Sequence, residues 1–270
     1  MKVMGIVNVT PDSFSDGGEF FDHEKAIEHG KRLAREGADV LDIGGESTRP
    51  GAEAVPMEEE VRRVIPVIEG LAGIAPISID TTKAEVAALA IDAGATMVND
   101  VTALAGDMDM AAVCAGTGVE VVLMHMLGTP RTMQADPHYG DVVAEVAELL
   151  AIRVGQADKA GIDREKIWID PGIGFGKTVD HNLSLLKWIE AFSNMRLKVL
   201  VGPSRKSFIG KLDNGADEAH RLGGTIAACL AAMRGGASMV RVHDVAPVVQ
   251  AIRVADAIES AAGNPDPARG

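Results

Sequence analysis

A chain of 270 residues with 47% hydrophobic residues, mostly Ala, Val, Ile, Leu and Met, and only 3% aromatics has material for one large core of stacked aliphatic layers. Its net charge of -13 disfavours nucleic acid or anionic membrane as a partner, so an anionic substrate has to meet a locally basic pocket. Cys114 and Cys229 are too few for a disulfide framework or metal cluster and read as buried thiols; with no signal-like opening and no run near the roughly 18 apolar residues of a membrane span, the cytoplasm is the expected location.

In chain order, residues 3–7 read as a strand, followed by a polar loop over 8–18 and helical periodicity over 22–36. The run 40–43 is the next strand, before a loop over 44–51 and a helix over 57–72. Strands at 77–79, 97–98 and 121–124 alternate with helices near 83–92, 108–116 and 141–160. Residues 167–169, 199–201 and 239–240 supply three more strands, each with a helical stretch after it, the last over 245–261. Eight strands alternating with eight helices predict an α/β fold, a single-domain (β/α)8 TIM barrel closed by right-handed parallel crossovers, rather than an open doubly wound sheet. The expected domain spans 1–262, and 263–270, rich in Pro, Gly and charge, reads as a flexible tail.

In such a barrel the C-terminal strand ends and the loops after them carry the chemistry, which makes Asn8, Asp42, Asp80, Asn99, Asp100, Asp170, Arg241 and His243 candidates. Two carboxylates and an amide, Asp80, Asp170 and Asn99, suit a flat heterocycle with several N–H donors, because carboxylates only accept while an amide does both. Asp80 and Asp100 would alternatively serve as helix N-caps. The run DPGIGFGK over 170–177 places an acid beside alternating glycines. It reads as a binding-site wall, or as a phosphate cradle, although its spacing does not fit the P-loop pattern.

The first loop, NVTPDSFSDGG over 8–18, carries Phe14 between serines, with Asn8 and aspartates near it; it reads as a surface turn or as a mobile loop closing an aromatic over a ligand and a hard cation. The second, over 44–51, offers Thr48 as a hydroxyl and Arg49 as a fixed charge. After the seventh strand, GPSRKSF over 202–208 opens a helical turn with Lys206 beside it, an arrangement suited to anions. Arg241 and His243 alternate onto one side after the eighth strand, where a guanidinium and an imidazole suit phosphate oxygens. His125, in MHM over 124–126, reads as structural.

Taken together, the segments 8–18, 46–51, 78–81, 170–177, 204–207 and 241–245 resemble, in order and on the same strand ends, the dihydropteroate synthase family, the folate-biosynthesis enzymes that sulfonamides target. The resemblance implies a transferase that condenses 6-hydroxymethyl-7,8-dihydropterin diphosphate with 4-aminobenzoate to 7,8-dihydropteroate and diphosphate, with Mg2+ as cofactor and a homodimer as the assembly. By it, Asp80, Asn99, Asp170 and Lys206 hold the pterin, and Asn8 ligates Mg2+. Thr48, Arg241 and His243 bind the diphosphate, while Phe14, Thr48, Pro50, Phe175 and Ser207 surround 4-aminobenzoate. Asp16 and Arg49 join the two mobile loops and, with Asp80 and Lys206, count as catalytic. The implied mechanism is dissociative: diphosphate leaves and the aniline nitrogen attacks a methylene cation that Asp80 stabilises.

Two features depart from the family pattern. The sequence enters its first strand almost at once, where relatives often carry extra residues that help close the barrel floor, and Leu127 stands where a polar residue is common. Other readings are a methyltetrahydrofolate corrinoid methyltransferase, which needs no site like Asn8, Arg241 and His243, and a catalytically silent pterin-binding barrel, which has no need of Phe14, Asp16 and Arg49.

Overall fold

Short runs of Val, Ile, Leu and Met buried on both faces become parallel strands only when helices cover one face and a packed interior covers the other. The computed structural model describes residues 1–10, 19–48 and 51–261 and has that arrangement throughout. The strands are β1 (Lys2–Asn8), β2 (Val40–Gly44), β3 (Ile77–Asp80), β4 (Met97–Asp100), β5 (Glu120–Met124), β6 (Ile167–Asp170), β7 (Lys198–Val201) and β8 (Met239–Val242). They pair in sequence order, all parallel, and β8 pairs with β1, so the sheet closes into a barrel. No helix among the described residues is long and apolar enough to cross a membrane.

The helices are α1 (Glu19–Glu36), α2 (Met57–Leu71), α3 (Ala84–Asp92), α4 (Met110–Thr117), α5 (Val142–Lys159), α6 (Val179–Lys187), α7 (Ile189–Ser193), α8 (Ser207–Leu212), α9 (Leu222–Arg234) and α10 (Val245–Glu259). Eight were expected. The stretch after β6 breaks at Trp188, whose backbone leaves the helical region, and the stretch after β7 breaks at a turn in which Asn214 takes φ 47°. The expected tail, 263–270, lies outside the described residues.

Alternation along each strand sorts the side chains into two cores. Outward residues such as Leu41, Ile43, Ile79, Val121, Ile169 and Val201 pack under the helices. Inward residues Met4, Val40, Met97, Val122, Trp168, Leu200 and Met239 fill the lower barrel. Beneath them Lys198 lies 5.0 Å from the Trp168 ring centroid and pairs with Glu120 at 2.5 Å, so barrel side chains themselves close the floor. Cys114 and Cys229 are buried free thiols, both pushed up to about 12 by burial, which leaves them inert.

Candidate active site

One step above that filled layer the inward positions turn polar. Asp42 follows Val40 by the same parity, Asn99 follows Met97, Asp170 follows Trp168 and Arg241 follows Met239, so each polar group stands on a strand whose lower neighbour is fixed in the core. Arg241 Nε donates to Asp42 Oδ2 at 2.5 Å and Nη2 donates to Asp80 Oδ2 at 2.7 Å. Asn99 Nδ2 donates to the same Asp42 oxygen at 3.1 Å. Asp42 Oδ1 is buried with no partner among the described groups. Burial opposes the charge of Arg241, but Asp42 and Asp80 outweigh it and hold the guanidinium charged. Burial also raises the Asp80 carboxyl against the pull of Arg241, helped by repulsion from Asp42, Glu60 and Asp100.

These groups border a cavity lined by Asp80, Asn99, Asp170, Lys206 and Arg241, together with Thr48. Val101, Met124, Ile173 and Phe175 give it apolar walls. Asp80 therefore serves the cavity rather than capping a helix. Asp100 caps no helix either: it closes the turn after β4, accepting from Thr102 N at 2.8 Å, Thr102 Oγ1 at 2.7 Å and Leu104 N at 2.8 Å, while α4 begins beyond it at Met110. Val101, Met124 and Ile173 are the lining side chains absent from the sequence candidates; Asp42 was a candidate as a strand-end acid, and its pairing with Arg241 is what the structure adds.

The glycine-rich segment is shaped by protein neighbours, not left open for a phosphate. A Cβ on Gly172, at φ +70°, would meet the His125 carbonyl oxygen at 1.9 Å, and one on Gly174, at φ +84°, would meet Lys206 Cδ at 2.8 Å. Gly172 N donates to Asp170 Oδ1 at 2.7 Å, which fixes that carboxylate. Lys177 turns back under the loop, donating to the Phe175 carbonyl at 2.8 Å, with its Nζ 3.0 Å from His125 Nδ1. Leu127 sets its backbone and Cβ against Gly176 and leaves its side chain exposed.

Burial lifts Asp170 to about 6, partly offset by Gly172 N–H, Lys206, Lys177 and Arg241. Burial lowers Lys177 to about 7 and His125 to about 3, the latter also repelled by Lys177. His125 is thus a neutral structural ring, as expected. Lys206 Nζ sits 3.9 Å from the Phe175 ring centroid, a cation–π contact that joins the loops after β6 and β7.

Ser207, Asn8 and His243 stand outside the cavity wall. Ser207 is exposed at the start of α8, and Asn8 ends β1 partly exposed. His243 Nδ1 lies 2.9 Å from Ser204 Oγ, and its backbone N–H donates to the same oxygen at 3.1 Å. Arg241, expected on one side with His243, turns its guanidinium inward onto two carboxylates. Phe14, Asp16, Arg49 and Pro50 lie outside the described residues. The segment leading to Thr48 is anchored below by Glu46, which accepts from Lys83, and Lys83 also reaches the buried Glu60 at 2.5 Å. Arg63 Nη1 adds a bond to the Gly45 carbonyl at 2.9 Å.

The family model of the pterin binding enzymes matches residues 4–243. The chain is 48% identical over 258 residues to the dihydropteroate synthase of Synechocystis sp., covering 95% of this chain and 89% of that one. Among solved structures it is similar to Xanthomonas albilineans dihydropteroate synthase with 4-aminobenzoic acid, at TM-score 0.91 and 51% identity over 96% of this chain and 93% of that one. The same organism's enzyme in complex with 7,8-dihydropteroate is similar at TM-score 0.87 and 48% identity, over 96% and 94%.

Proposed function

The chain belongs to the dihydropteroate synthase family of pterin-binding enzymes, and on that premise we propose how its own residues condense 6-hydroxymethyl-7,8-dihydropterin diphosphate with 4-aminobenzoate. It is a transferase of folate biosynthesis, yielding 7,8-dihydropteroate and diphosphate. The observation that carries the assignment of roles is the convergence of Asp80, Asn99, Asp170 and Lys206 on one cavity with apolar walls.

The pterin lies flat in that cavity. Asp170 and Asp80 accept from its ring N–H and amino groups, Asn99 both donates and accepts, and Lys206 donates to an acceptor on the ring. Buried carboxylates that are costly to leave unpaired favour a ligand able to supply donors, which selects the heterocycle by its hydrogen-bonding pattern. Of the Arg241 donors, Nε and Nη2 are engaged by Asp42 and Asp80; we assign the Nη1 edge, with His243 and Thr48, to the diphosphate. Breaking the C–O bond to diphosphate leaves positive charge on the pterin methylene, and Asp80 is the carboxylate placed to stabilise it. The neutral aniline nitrogen of 4-aminobenzoate then forms the C–N bond and releases its proton to the departing diphosphate or to solvent. Phe175, Thr48, Pro50, Phe14 and Ser207 hold the second substrate, and the loops bearing Asp16 and Arg49 exclude the water that would otherwise capture the cation.

Among the described residues no group of three His, Cys, Asp or Glu side chains can hold a metal. Mg2+ takes few protein ligands and completes its shell with water and substrate phosphate oxygens. Asn8, a hard amide oxygen on a rigid strand end, is the ligand we assign. When bound there, the ion would neutralise charge on the leaving diphosphate. A cytoplasmic homodimer is the assembly we propose, on the strength of the family resemblance, and light scattering of purified protein tests the dimer.

The test of function is incubation with pterin diphosphate, 4-aminobenzoate and Mg2+ while diphosphate and 7,8-dihydropteroate are both assayed. Stoichiometric appearance of the two is expected. Diphosphate release that ignores 4-aminobenzoate would mean hydrolysis instead.

A further inference from the structure

Three consecutive residues after β7 each do a different job. Ser204 reaches across to His243, Lys206 faces the cavity, and Arg205 between them takes φ +55°, a left-handed backbone that a residue with a side chain adopts only at a cost. Arg205 is held from every side. Its N–H donates to Thr225 Oγ1 at 3.0 Å, its carbonyl accepts from Arg221 Nη1 at 2.9 Å, and its guanidinium makes two bonds to Asp244, Nε to Oδ2 at 2.9 Å and Nη2 to Oδ1 at 2.7 Å. Asp244 is the residue after His243. The loops after β7 and β8 are thus stitched twice, Ser204 to His243 and Arg205 to Asp244.

Lys206 depends on the turn at Arg205. If residue 205 relaxed to negative φ, the chain would swing and carry the next side chain off the Phe175 ring and the cavity. A bidentate guanidinium–carboxylate pair fixes orientation as well as distance, which a single hydrogen bond would not. Both partners are about two-thirds buried, at 32% and 25% side-chain exposure, so solvent screens the pair only in part. We propose that Asp244 is a positioning residue: by clamping Arg205 in its left-handed conformation it sets Lys206 against the pterin and links that residue to His243 at the diphosphate end. It touches neither substrate itself. The inference rests on the pterin-site reading above.

The test is calorimetric affinity for the pterin diphosphate across Asp244→Asn, Asp244→Ala, Arg205→Ala, Arg205→Gly and the double variant R205G/D244A, with thermal melts confirming folded protein. Asp244→Asn, Asp244→Ala and Arg205→Ala each weaken affinity by about tenfold, the scale of a coupled pair. Arg205→Gly recovers to within about threefold of wild type, because glycine takes positive φ unaided. Adding Asp244→Ala to Arg205→Gly then costs less than about twofold, since no strained residue remains to be clamped. A role confined to general stability would move the melts and leave this pattern absent. Unchanged affinity in Asp244→Asn, equal cost of Asp244→Ala in both backgrounds, or Arg205→Gly no better than Arg205→Ala would each overturn the inference. Wild-type protein that binds pterin diphosphate but makes no dihydropteroate would overturn the catalytic reading, while the same affinity series would still decide for or against Asp244.

Discussion

Asp170 is pulled in two directions, raised to about 6 by burial and restrained there by Gly172 N–H and three cations. Only the ionised form offers all of its acceptor positions to the pterin. The sign follows directly: with the carboxyl raised, the acceptor form dominates above pH 6 and is lost as pH falls through that value. For 6-hydroxymethyl-7,8-dihydropterin, which lacks the titrating diphosphate, affinity should therefore fall by up to about tenfold per pH unit below this edge. Asp170→Asn should bind weakly and lose the edge near pH 6, keeping only the one that Asp80, raised by burial to about 7, contributes. Lys177→Met should move the edge upward, because it removes one of the cations that lower Asp170. Calorimetry from pH 5 to pH 8 checks all three, and an edge that stays unchanged near pH 6 in Asp170→Asn would assign it to another group. The glycines make a second residue-scale prediction. Gly172→Ala places a methyl on the rigid His125 carbonyl and should destabilise by more than about 4 kcal/mol or prevent folding. Gly174→Ala meets only the flexible stem of Lys206, so the protein should fold and lose pterin affinity instead. Urea melts and binding together separate the two. The strand-end acids were legible because polar residues ending apolar runs are conspicuous. Asp42 stood among those acids without a role, because its partner Arg241 is 199 residues away and nothing local marks the pair.

Loops bearing substrate contacts need fixed bases, and the helices supply one below Thr48. Lys83, at the start of α3, bridges Glu46 in the loop after β2 to Glu60 inside α2, whose side chain is 0% exposed. Removing the lysine leaves Glu60 buried without its cation, and breaking such a pair costs about 3 kcal/mol. Lys83→Met should lose stability on that scale in urea melts, and Glu60→Gln in the same chain should restore part of it. The kinetic signature should be a KM for 4-aminobenzoate raised more than that for the pterin, since Thr48 stands at the cavity edge on the loosened segment. A uniform fall in kcat alone would sink this role. At this scale the strands were legible as apolar runs but ended one or two residues early at β3, β4, β6 and β8. Each of these ends in a polar inward residue or carries one at its tip: Asp80, Asn99, Asp170 and Arg241. Function replaces the hydrophobic signal at the very positions where the strand carries its site. The break at Trp188 was not legible, because that residue does not end a helix by its own propensity, whereas the Asn214-Gly215 pair, both at positive φ, is a turn signal that went unused.

The barrel as a whole follows from counting: eight parallel crossover units leave two edges that only pairing of β8 with β1 can satisfy, and that pairing is present. How its floor is filled did not follow, since Trp168 and Lys198 meet through the cation–π contact only after closure. The remaining global property is charge. A molecule carrying -13 overall must admit two anionic substrates to one end of the barrel. The cavity cations Lys206 and Arg241 act over a few ångströms, and Arg241 is already neutralised by Asp42 and Asp80, whereas the net field acts at the distances where encounter begins. Added salt shortens the screening length from about 30 Å at 0.01 M to about 8 Å at 0.15 M, which should suppress the long-range repulsion while sparing the contacts in the cavity. The association rate of pterin diphosphate, measured by stopped flow, should therefore rise several-fold, on the order of threefold, across that range, with the dissociation rate nearly constant. A rate that falls with salt would show that the basic groups at the C-terminal face outweigh the net charge and steer the substrate in.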